Sequence, residues 1–164
     1  MEEVFLSLGT NMGDKLKNLS AAIHAIEAEI GQVSVVSGIY ETEAWGFSCE
    51  EHFLNQVIVI QTSMDPGQLI EKCLLIEKGM GRIRSGSGDY ESRIIDIDIL
   101  FFGNQIIEQE SLQIPHPLLH LRRFILEPLC EIAPELIHPV FGKPLSELLS
   151  TCEDQGIVHL MNWQ

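Results

Sequence analysis

The chain has 164 residues, of which 45% are hydrophobic and 21% are charged; these proportions are typical of a globular protein, and the length predicts a single domain over residues 1–164. Its formal net charge of −14 argues against nucleic acid or an acidic membrane surface as a partner. No apolar run is long enough to span a bilayer, and the first strand-like residues follow no leader-like segment, so we expect a cytoplasmic protein.

Hydrophobic periodicity predicts alternating strands and helices. Alternating or β-branched runs indicate strands, and apolar residues at every third or fourth position indicate helices. In chain order we predict a strand at 4–8, a helix at 14–30, a strand at 33–42, a loop at 43–51, a strand at 53–62, a helix from 66 to about 80, a loop at 81–92 and a strand at 94–102. A hairpin turn at 103–104 with a return strand at 105–108 follows, and then helices at 122–132 and 144–152.

The order strand, helix, strand, strand, helix, strand predicts the split β-α-β arrangement of a ferredoxin-like core. The fold class is therefore α+β, a mainly antiparallel sheet with helices packed on it and extra helices at the C-terminal end. Because many functions share this core, the fold alone does not specify an activity.

Two aspartates two residues apart are the strongest sign of chemistry. Asp96 and Asp98 lie in an apolar, strand-like run, so their side chains share one face. Two like charges in an apolar setting repel each other and are costly to desolvate. A magnesium ion removes that cost, and Mg²⁺ is typically bound by one or two carboxylates together with substrate phosphates. By itself, the pair is more typical of a solvated strand face or of surface ion-pair partners.

The arginines strengthen the first interpretation. All five, at positions 82, 84, 93, 122 and 123, lie within 42 residues of each other, whereas the five lysines are scattered along the chain. Guanidinium groups are planar donors that bind phosphate oxygens in pairs. Carboxylate pair and arginine cluster together indicate magnesium-dependent chemistry on a polyphosphate.

Other candidates have two interpretations each. His116, between two prolines, fits a nucleotide contact or a structural turn. Phe53, Asn55 and Phe124 could hold a flat heterocycle by stacking and amide hydrogen bonds, or belong to the core. For Glu77, near the end of the second predicted helix, the residues alone favour an ordinary helix surface.

Taken together, these motifs resemble those of the 6-hydroxymethyl-7,8-dihydropterin pyrophosphokinases (HPPK), a family of folate biosynthesis. The segments that carry the resemblance, in family order, are residues 8–13, 37–42, 45–46, 53–55, 76–77, 81–84, 93–100, 114–117, 122–129 and 132–134. The resemblance implies a single pterin pyrophosphokinase domain over residues 1–164, which transfers pyrophosphate from ATP to the hydroxymethyl group of the pterin and releases AMP.

The resemblance also implies a set of ligands and site residues. ATP is the co-substrate, two Mg²⁺ ions are expected, and the partners are small molecules bound by a monomer, with a homodimer as the alternative. Asp96 and Asp98 would hold the metal, with Arg82 and Arg93 as the catalytic arginines. The implied nucleotide contacts are Glu77, Arg84, His116 and Arg122, and the implied pterin contacts are Gly9, Thr42, Trp45, Phe53, Asn55 and Phe124.

Two other functions remain open from the sequence. A palm-like nucleotidyltransferase would also place carboxylates on a strand for two metal ions, but it predicts binding to nucleic acid or a second nucleotide, which the net charge disfavours. A non-catalytic small-molecule-binding module on the same core would leave the arginine clustering unexplained.

Overall fold

A six-stranded antiparallel sheet forms the centre of the protein. The computed structural model describes residues 1–47, 50–82 and 93–162. The strands are β1 (Glu2–Thr10), β2 (Gln32–Val36), β3 (Tyr40–Thr42), β4 (Phe53–Thr62), β5 (Asp96–Phe102), β6 (Ile107–Gln109), β7 (Leu112–Ile114) and β8 (Val158–Leu160). The helices are α1 (Lys15–Glu29), α2 (Pro66–Gly79), α3 (Arg123–Ile132) and α4 (Leu145–Ser150), with a 3₁₀ helix at Leu119–Leu121.

The strand order confirms the predicted α+β, ferredoxin-like core. The sheet runs β5-β1-β4-β3-β8, and β2 pairs with β4 alongside β3. Every one of these pairings is antiparallel. The two helices after residue 120 are present as α3 and α4. The element order in the sequence therefore sufficed to predict the topology of the core.

The predicted strand at 33–42 is wrong in one respect, because it is broken into β2 and β3. Ser37 lies at the break, where its N–H donates to the carbonyl of Val57 at 2.9 Å. Its hydroxyl accepts the hydrogen bond from the Val57 N–H, also at 2.9 Å. A side-chain oxygen thus replaces a backbone carbonyl in the ladder, and the chain leaves the regular strand path.

The predicted turn at 103–104 is present, with the Gln105 N–H donating to the Phe102 carbonyl at 3.0 Å, but the predicted return strand is wrong. The segment that follows Gly103 does not return along β5; β6 pairs with β7 in a separate two-stranded sheet. The N–H of Gly103, at a positive φ of 50°, donates to the carbonyl of Glu3, which directs the chain towards β1. Beside β5, the N–H of His116 donates to the carbonyl of Leu100 at 3.0 Å. The segment after β7, and not a return strand, therefore contacts this side of β5.

Two apolar clusters cover the two faces of the sheet. One joins α1 and α2 to one face of β1, β4 and β5, and the other joins α3 and α4 to the opposite face. Asp14 caps α1, and Asp65 with Gln68 forms a capping box at α2, so both helices of the first face begin at defined positions. Among the described residues, no helix combines the length and the apolar character needed to cross a bilayer.

A buried histidine makes the stability of the second face dependent on pH. His138 is 3% exposed, and its Nδ1 accepts hydrogen bonds from the N–H groups of Val140 and Phe141 at 3.2 and 3.3 Å. Burial, with a smaller contribution from His120, lowers its pKa to about 4. The unfolded chain, with an ordinary histidine pKa, therefore binds more protons than the folded protein between these two pKa values.

We expect this histidine to destabilise the fold on acidification. The contribution of neutral His138 to the free energy of unfolding is fully present above about pH 6.5. It declines as the pH falls and is lost below about pH 4, a change of at most about 3 kcal/mol. His138→Asn keeps an acceptor for the turn but cannot take up the proton. Urea unfolding at pH 7 and pH 4.5 should show a smaller loss of stability for this variant than for the wild type. A loss of equal size in both proteins would contradict the assignment, and His24→Asn at an exposed position is the control.

Candidate active site

Two recessed carboxylates lie at the start of β5. Asp96 and Asp98 alternate along the chain with Ile95, Ile97 and Ile99, which are buried against α1 and α2. Both carboxylates therefore point to the other face of the sheet, as their spacing predicts. Their side chains are 19% and 33% exposed. The pair is thus recessed in the surface, yet Asp98 remains open to a ligand.

Small and polar residues cross the sheet beside Asp96. In β1, Gly9 pairs with Asp96 on one side and with Asn55 of β4 on the other. A Cβ at Gly9 would lie only 3.2 Å from the Asn55 Oδ1, so glycine leaves room for this amide. The Nδ2 of Asn55 donates to the Thr42 hydroxyl at 2.7 Å, which orients the amide. The structure thus brings Gly9, Thr42 and Asn55 together next to the carboxylates.

Arg82 connects Asp96 to a buried glutamate. Its Nη1 donates to the Glu77 Oε1 at 2.8 Å and to the Asp96 Oδ1. The Glu77 Oε1 also accepts from the Ile97 N–H at 2.8 Å, which attaches the end of α2 to β5. Glu77 is only 2% exposed, so it lies beneath the open part of the site. Its nucleotide-side role stays a prediction.

Arg93 approaches Asp96 from the opposite side. Its Nη1 lies 3.2 Å from the Asp96 Oδ2, and its guanidinium carbon lies 5.5 Å from the ring centre of Phe53. Both oxygens of Asp96 are therefore engaged by arginine. The Nε atoms of Arg82 and Arg93 are buried and have no hydrogen-bond partner within the described part of the chain. Each guanidinium therefore has one buried donor that the described part of the chain leaves unused.

The pKa values of the two aspartates shift in opposite directions because their neighbours differ. Burial raises the pKa of both, but the guanidinium groups of Arg93 and Arg82 outweigh it at Asp96 and hold its pKa below the usual range. At Asp98, burial and the nearby charge of Asp96 raise the pKa to about 8, although Arg122 acts in the opposite direction. The site therefore holds one carboxylate that lacks sufficient compensating positive charge.

His116 faces Asp98 as a neutral ring. Its Nε2 lies 4.0 Å from the Asp98 Oδ2, and its Nδ1 accepts a hydrogen bond from the Leu118 N–H at 3.1 Å. The proton of the neutral ring therefore resides on Nε2, on the side of the carboxylate. Burial and the positive charge of Arg122 lower the pKa of His116 to about 4. At neutral pH it presents an uncharged donor to the site.

Stacked side chains line the region where α3 begins. The guanidinium carbon of Arg122 lies 4.5 Å from the ring centre of Trp45 and 5.7 Å from that of Phe124. Arg122 is 6% exposed, and it precedes the first residue of α3. This geometry brings three of the predicted contacts together, with a planar cation beside two aromatic faces. A flat heterocycle could use the same kind of surface.

One predicted residue lies outside the described structure, and one polar residue was missed. Arg84 falls in the segment 83–92, so its predicted nucleotide contact has no structural description. Asn11, which lies in the segment 8–13 that carries the resemblance but was assigned no role of its own, is 2% exposed and hydrogen-bonds to the backbone of Arg93. A polar residue directly after a buried strand is a weak signal, because its partner is 82 residues away.

The donor set fits magnesium shared with a substrate. Within residues 1–47, 50–82 and 93–162, no three His, Cys, Asp or Glu side chains are grouped to hold a metal ion. A metal bound by protein alone is therefore not supported there. Asp96 and Asp98 are a hard, oxygen-only pair, and Mg²⁺ takes one or two carboxylates with phosphate and water as its other ligands. The undercompensated charge at Asp98 fits a divalent cation for the same reason.

Comparison with known proteins decides the family. The 7,8-dihydro-6-hydroxymethylpterin-pyrophosphokinase (HPPK) family model matches residues 5–134. The chain belongs to this family. An HPPK of Aquifex aeolicus is 40% identical over 147 residues, covering 90% of each chain, and one of Methylorubrum extorquens is 37% identical over 96% of this chain and 98% of that one. The predicted resemblance is thereby confirmed.

Longer proteins also contain this domain. The folic acid synthesis protein fol1 of Pneumocystis carinii is 38% identical over 95% of this chain, which matches 21% of that protein. A solved HPPK-DHPS protein in complex with substrates has a TM-score of 0.75 at 18% identity, covering 92% of this chain and 43% of that chain, and supports the fold. Membership of the HPPK family makes this chain an enzyme of the diphosphokinase class of transferases, in folate biosynthesis.

Proposed function

We propose that this chain transfers pyrophosphate from ATP to the hydroxymethyl group of 6-hydroxymethyl-7,8-dihydropterin in a magnesium-dependent reaction that releases AMP. The observation that carries the proposal is the arrangement of side chains around Asp96. This carboxylate lies between Arg82 and Arg93, two residues from Asp98 and across β1 from Asn55. Groups suited to metal, polyphosphate and a heterocycle thus converge on one face of the sheet.

Asp96 and Asp98 would hold the magnesium in this reaction. When bound, Mg²⁺ neutralises phosphate charge and assists the attack of a hydroxyl group on phosphorus. The donor set supports this assignment because both carboxylates share a face and one of them lacks a sufficient countercharge. The remaining ligand positions suit phosphate oxygens, as is usual for magnesium in kinase sites.

Arg82 and Arg93 are the groups that we assign to the transferring phosphates. Each now donates to a carboxylate oxygen of Asp96, an interaction that phosphate oxygens can replace with the same geometry. Positive charge placed beforehand at the reacting centre stabilises the charge that redistributes during phosphoryl transfer. Each arginine also has a buried Nε–H donor without a partner in the described chain.

A cavity beside His116 is the proposed place of the nucleoside part of ATP. It has a volume of about 470 Å³ and is bounded by the β6–β7 hairpin, the residues from 115 to 120 and the turn at 138–141. His116 lines this cavity, and its Nε2 lies 4.0 Å from the Asp98 Oδ2. The histidine could thus donate to a ribose or phosphate oxygen where the nucleoside joins its phosphates.

The pterin is assigned to the opposite side of the carboxylates. Asn55, oriented by Thr42, offers an amide edge, and Gly9 leaves the space beside it open. Phe53 and Phe124 each carry a planar guanidinium at stacking distance, which supports their proposed role as stacking surfaces for a flat ring. The site residues come from β1, β3, β4, β5 and the start of α3, which supports residues 1–164 as one catalytic domain, and we propose that this domain acts as a monomer.

The test is AMP formation from ATP and Mg²⁺ with and without 6-hydroxymethyl-7,8-dihydropterin. We expect AMP only when the pterin is present, and we expect it to disappear when EDTA removes the metal. AMP formation that does not depend on the pterin would indicate another acceptor. Binding of ATP to the folded protein without any AMP would contradict the proposal in favour of a non-catalytic binding module.

A further inference from the structure

A single residue at the end of β1 binds both backbone groups of Arg93. The Oδ1 of Asn11 accepts a hydrogen bond from the Arg93 N–H at 2.7 Å, and the Asn11 N–H donates to the Arg93 carbonyl at 3.1 Å. Asn11 is 2% exposed. The last pair of the β1–β5 ladder is Gly9 with Asp96, so this two-point attachment lies beyond the end of the ladder.

Asn11 itself rests on a well-fixed part of the molecule. It directly follows β1, which pairs with β4 along its entire length and with β5 on its other side. The residues before and after it are held by Asn18, whose Nδ2 donates to the Thr10 hydroxyl at 3.2 Å and to the Met12 carbonyl at 2.8 Å. The turn is completed by Gly13 at a positive φ of 70°, a conformation that glycine adopts without strain. Asn11 can therefore hold the backbone of Arg93 in a fixed position relative to the sheet.

Arg93 needs such support because it lies outside any strand. Its guanidinium contacts both Asp96 and the ring of Phe53. Because an arginine side chain has many rotamers, any movement of its backbone adds to the uncertainty in where the guanidinium lies. A group that acts by electrostatic stabilisation loses much of its effect when it is displaced by about 1 Å. Holding the N–H and the carbonyl of Arg93 removes the main source of such displacement.

We propose that Asn11 is a positioning residue that acts through Arg93, by fixing its backbone to the end of β1 so that its guanidinium is presented to the transferring phosphates. Asn11 needs no contact with substrate in this role. The effect on rate rests on the function proposed above, whereas the attachment of Arg93 to Asn11 does not. The two parts can therefore be tested separately.

Hydrogen exchange tests the attachment without any substrate. Asn11→Leu keeps the branch at Cγ but has no acceptor, so the Arg93 amide should exchange about tenfold faster or more than in the wild type. The Ile97 amide, which donates to Glu77 at 2.8 Å, should keep its protection. Asn11→Asp retains the acceptor oxygen and should restore protection at Arg93. If the leucine variant does not fold, Asn11→Ala, which has no side-chain acceptor, removes the same contact.

Kinetics test whether Asn11 acts through Arg93. We expect Asn11→Leu to lower the kcat for pterin-dependent AMP formation by about 10- to 100-fold. In an Arg93→Ala background the same substitution should cause no further fall, because the group that it positions is already absent. Asn104→Leu, the same change in the exposed turn after β5, is the control and should leave kcat unchanged.

Each outcome decides one part. Unchanged protection of the Arg93 amide in Asn11→Leu would overturn the attachment. An equal loss of kcat in both backgrounds would overturn the action through Arg93. If wild-type protein forms no AMP from ATP and the pterin, the proposed function fails, and hydrogen exchange alone still decides whether Asn11 fixes Arg93.

Discussion

Replacing Asp98 by asparagine should leave a folded protein that forms AMP at less than about one hundredth of the wild-type rate. Asparagine has the same shape but lacks the negative charge that a magnesium ion requires. The side chain is 33% exposed and faces ligand space, so no core contact is lost. The amide also removes a group whose pKa burial and Asp96 raise to about 8, so stability at neutral pH should be unchanged or higher. Lower activity together with undiminished stability is typical of a functional group, not a structural one.

Asp65→Asn is the matched control for this substitution. Asp65 caps α2, and asparagine is an equally good cap, so the same chemical change should alter neither rate nor stability there. Urea unfolding and pterin-dependent AMP formation are measured on all three proteins, and binding of Mn²⁺ in the presence of ATP is compared by calorimetry. Unchanged turnover in Asp98→Asn would contradict a metal-holding role, and a large loss of stability would indicate a structural one.

The sequence predicted the site best where the chemistry is local. The spacing of Asp96 and Asp98 within a β-branched run determines a shared face, and the structure has both carboxylates on the side opposite the buried isoleucines. The element order was likewise sufficient for the topology of the sheet. Both predictions depend on periodicity, which is a property of neighbouring residues.

The contacts that the sequence did not predict are long-range. The break at Ser37 depends on a hydrogen bond to Val57, and the path after Gly103 depends on one to Glu3. The role of Asn11 depends on its hydrogen bond with Arg93, a residue that lies 82 positions later in the chain. Each is a polar pairing between segments that only the folded chain brings together, so no local pattern indicates it.

Arg82 should show two effects that can be separated. Replacing it with methionine leaves the Glu77 and Asp96 carboxylates without the guanidinium that both contact, in a place where the Glu77 side chain is only 3% exposed. Leaving a buried charge unpaired costs about 3–5 kcal/mol, so the variant should be much less stable in urea unfolding. The rate of pterin-dependent AMP formation should fall by about 100-fold or more, because a charge-stabilising donor is lost. Arg123→Met, at a half-buried arginine paired with Glu127, is the control for rate.

A second substitution distinguishes the structural role of Arg82 from the catalytic one. Glu77→Gln keeps an oxygen that can accept from the Ile97 N–H but needs no positive partner. Adding it to Arg82→Met should therefore recover about 1–3 kcal/mol of the lost stability. The rate should stay low, since the guanidinium is still missing from the phosphates. If rate and stability recovered together, Arg82 would serve only to neutralise Glu77, and the charge stabilisation assigned to it would have to come from Arg93 alone.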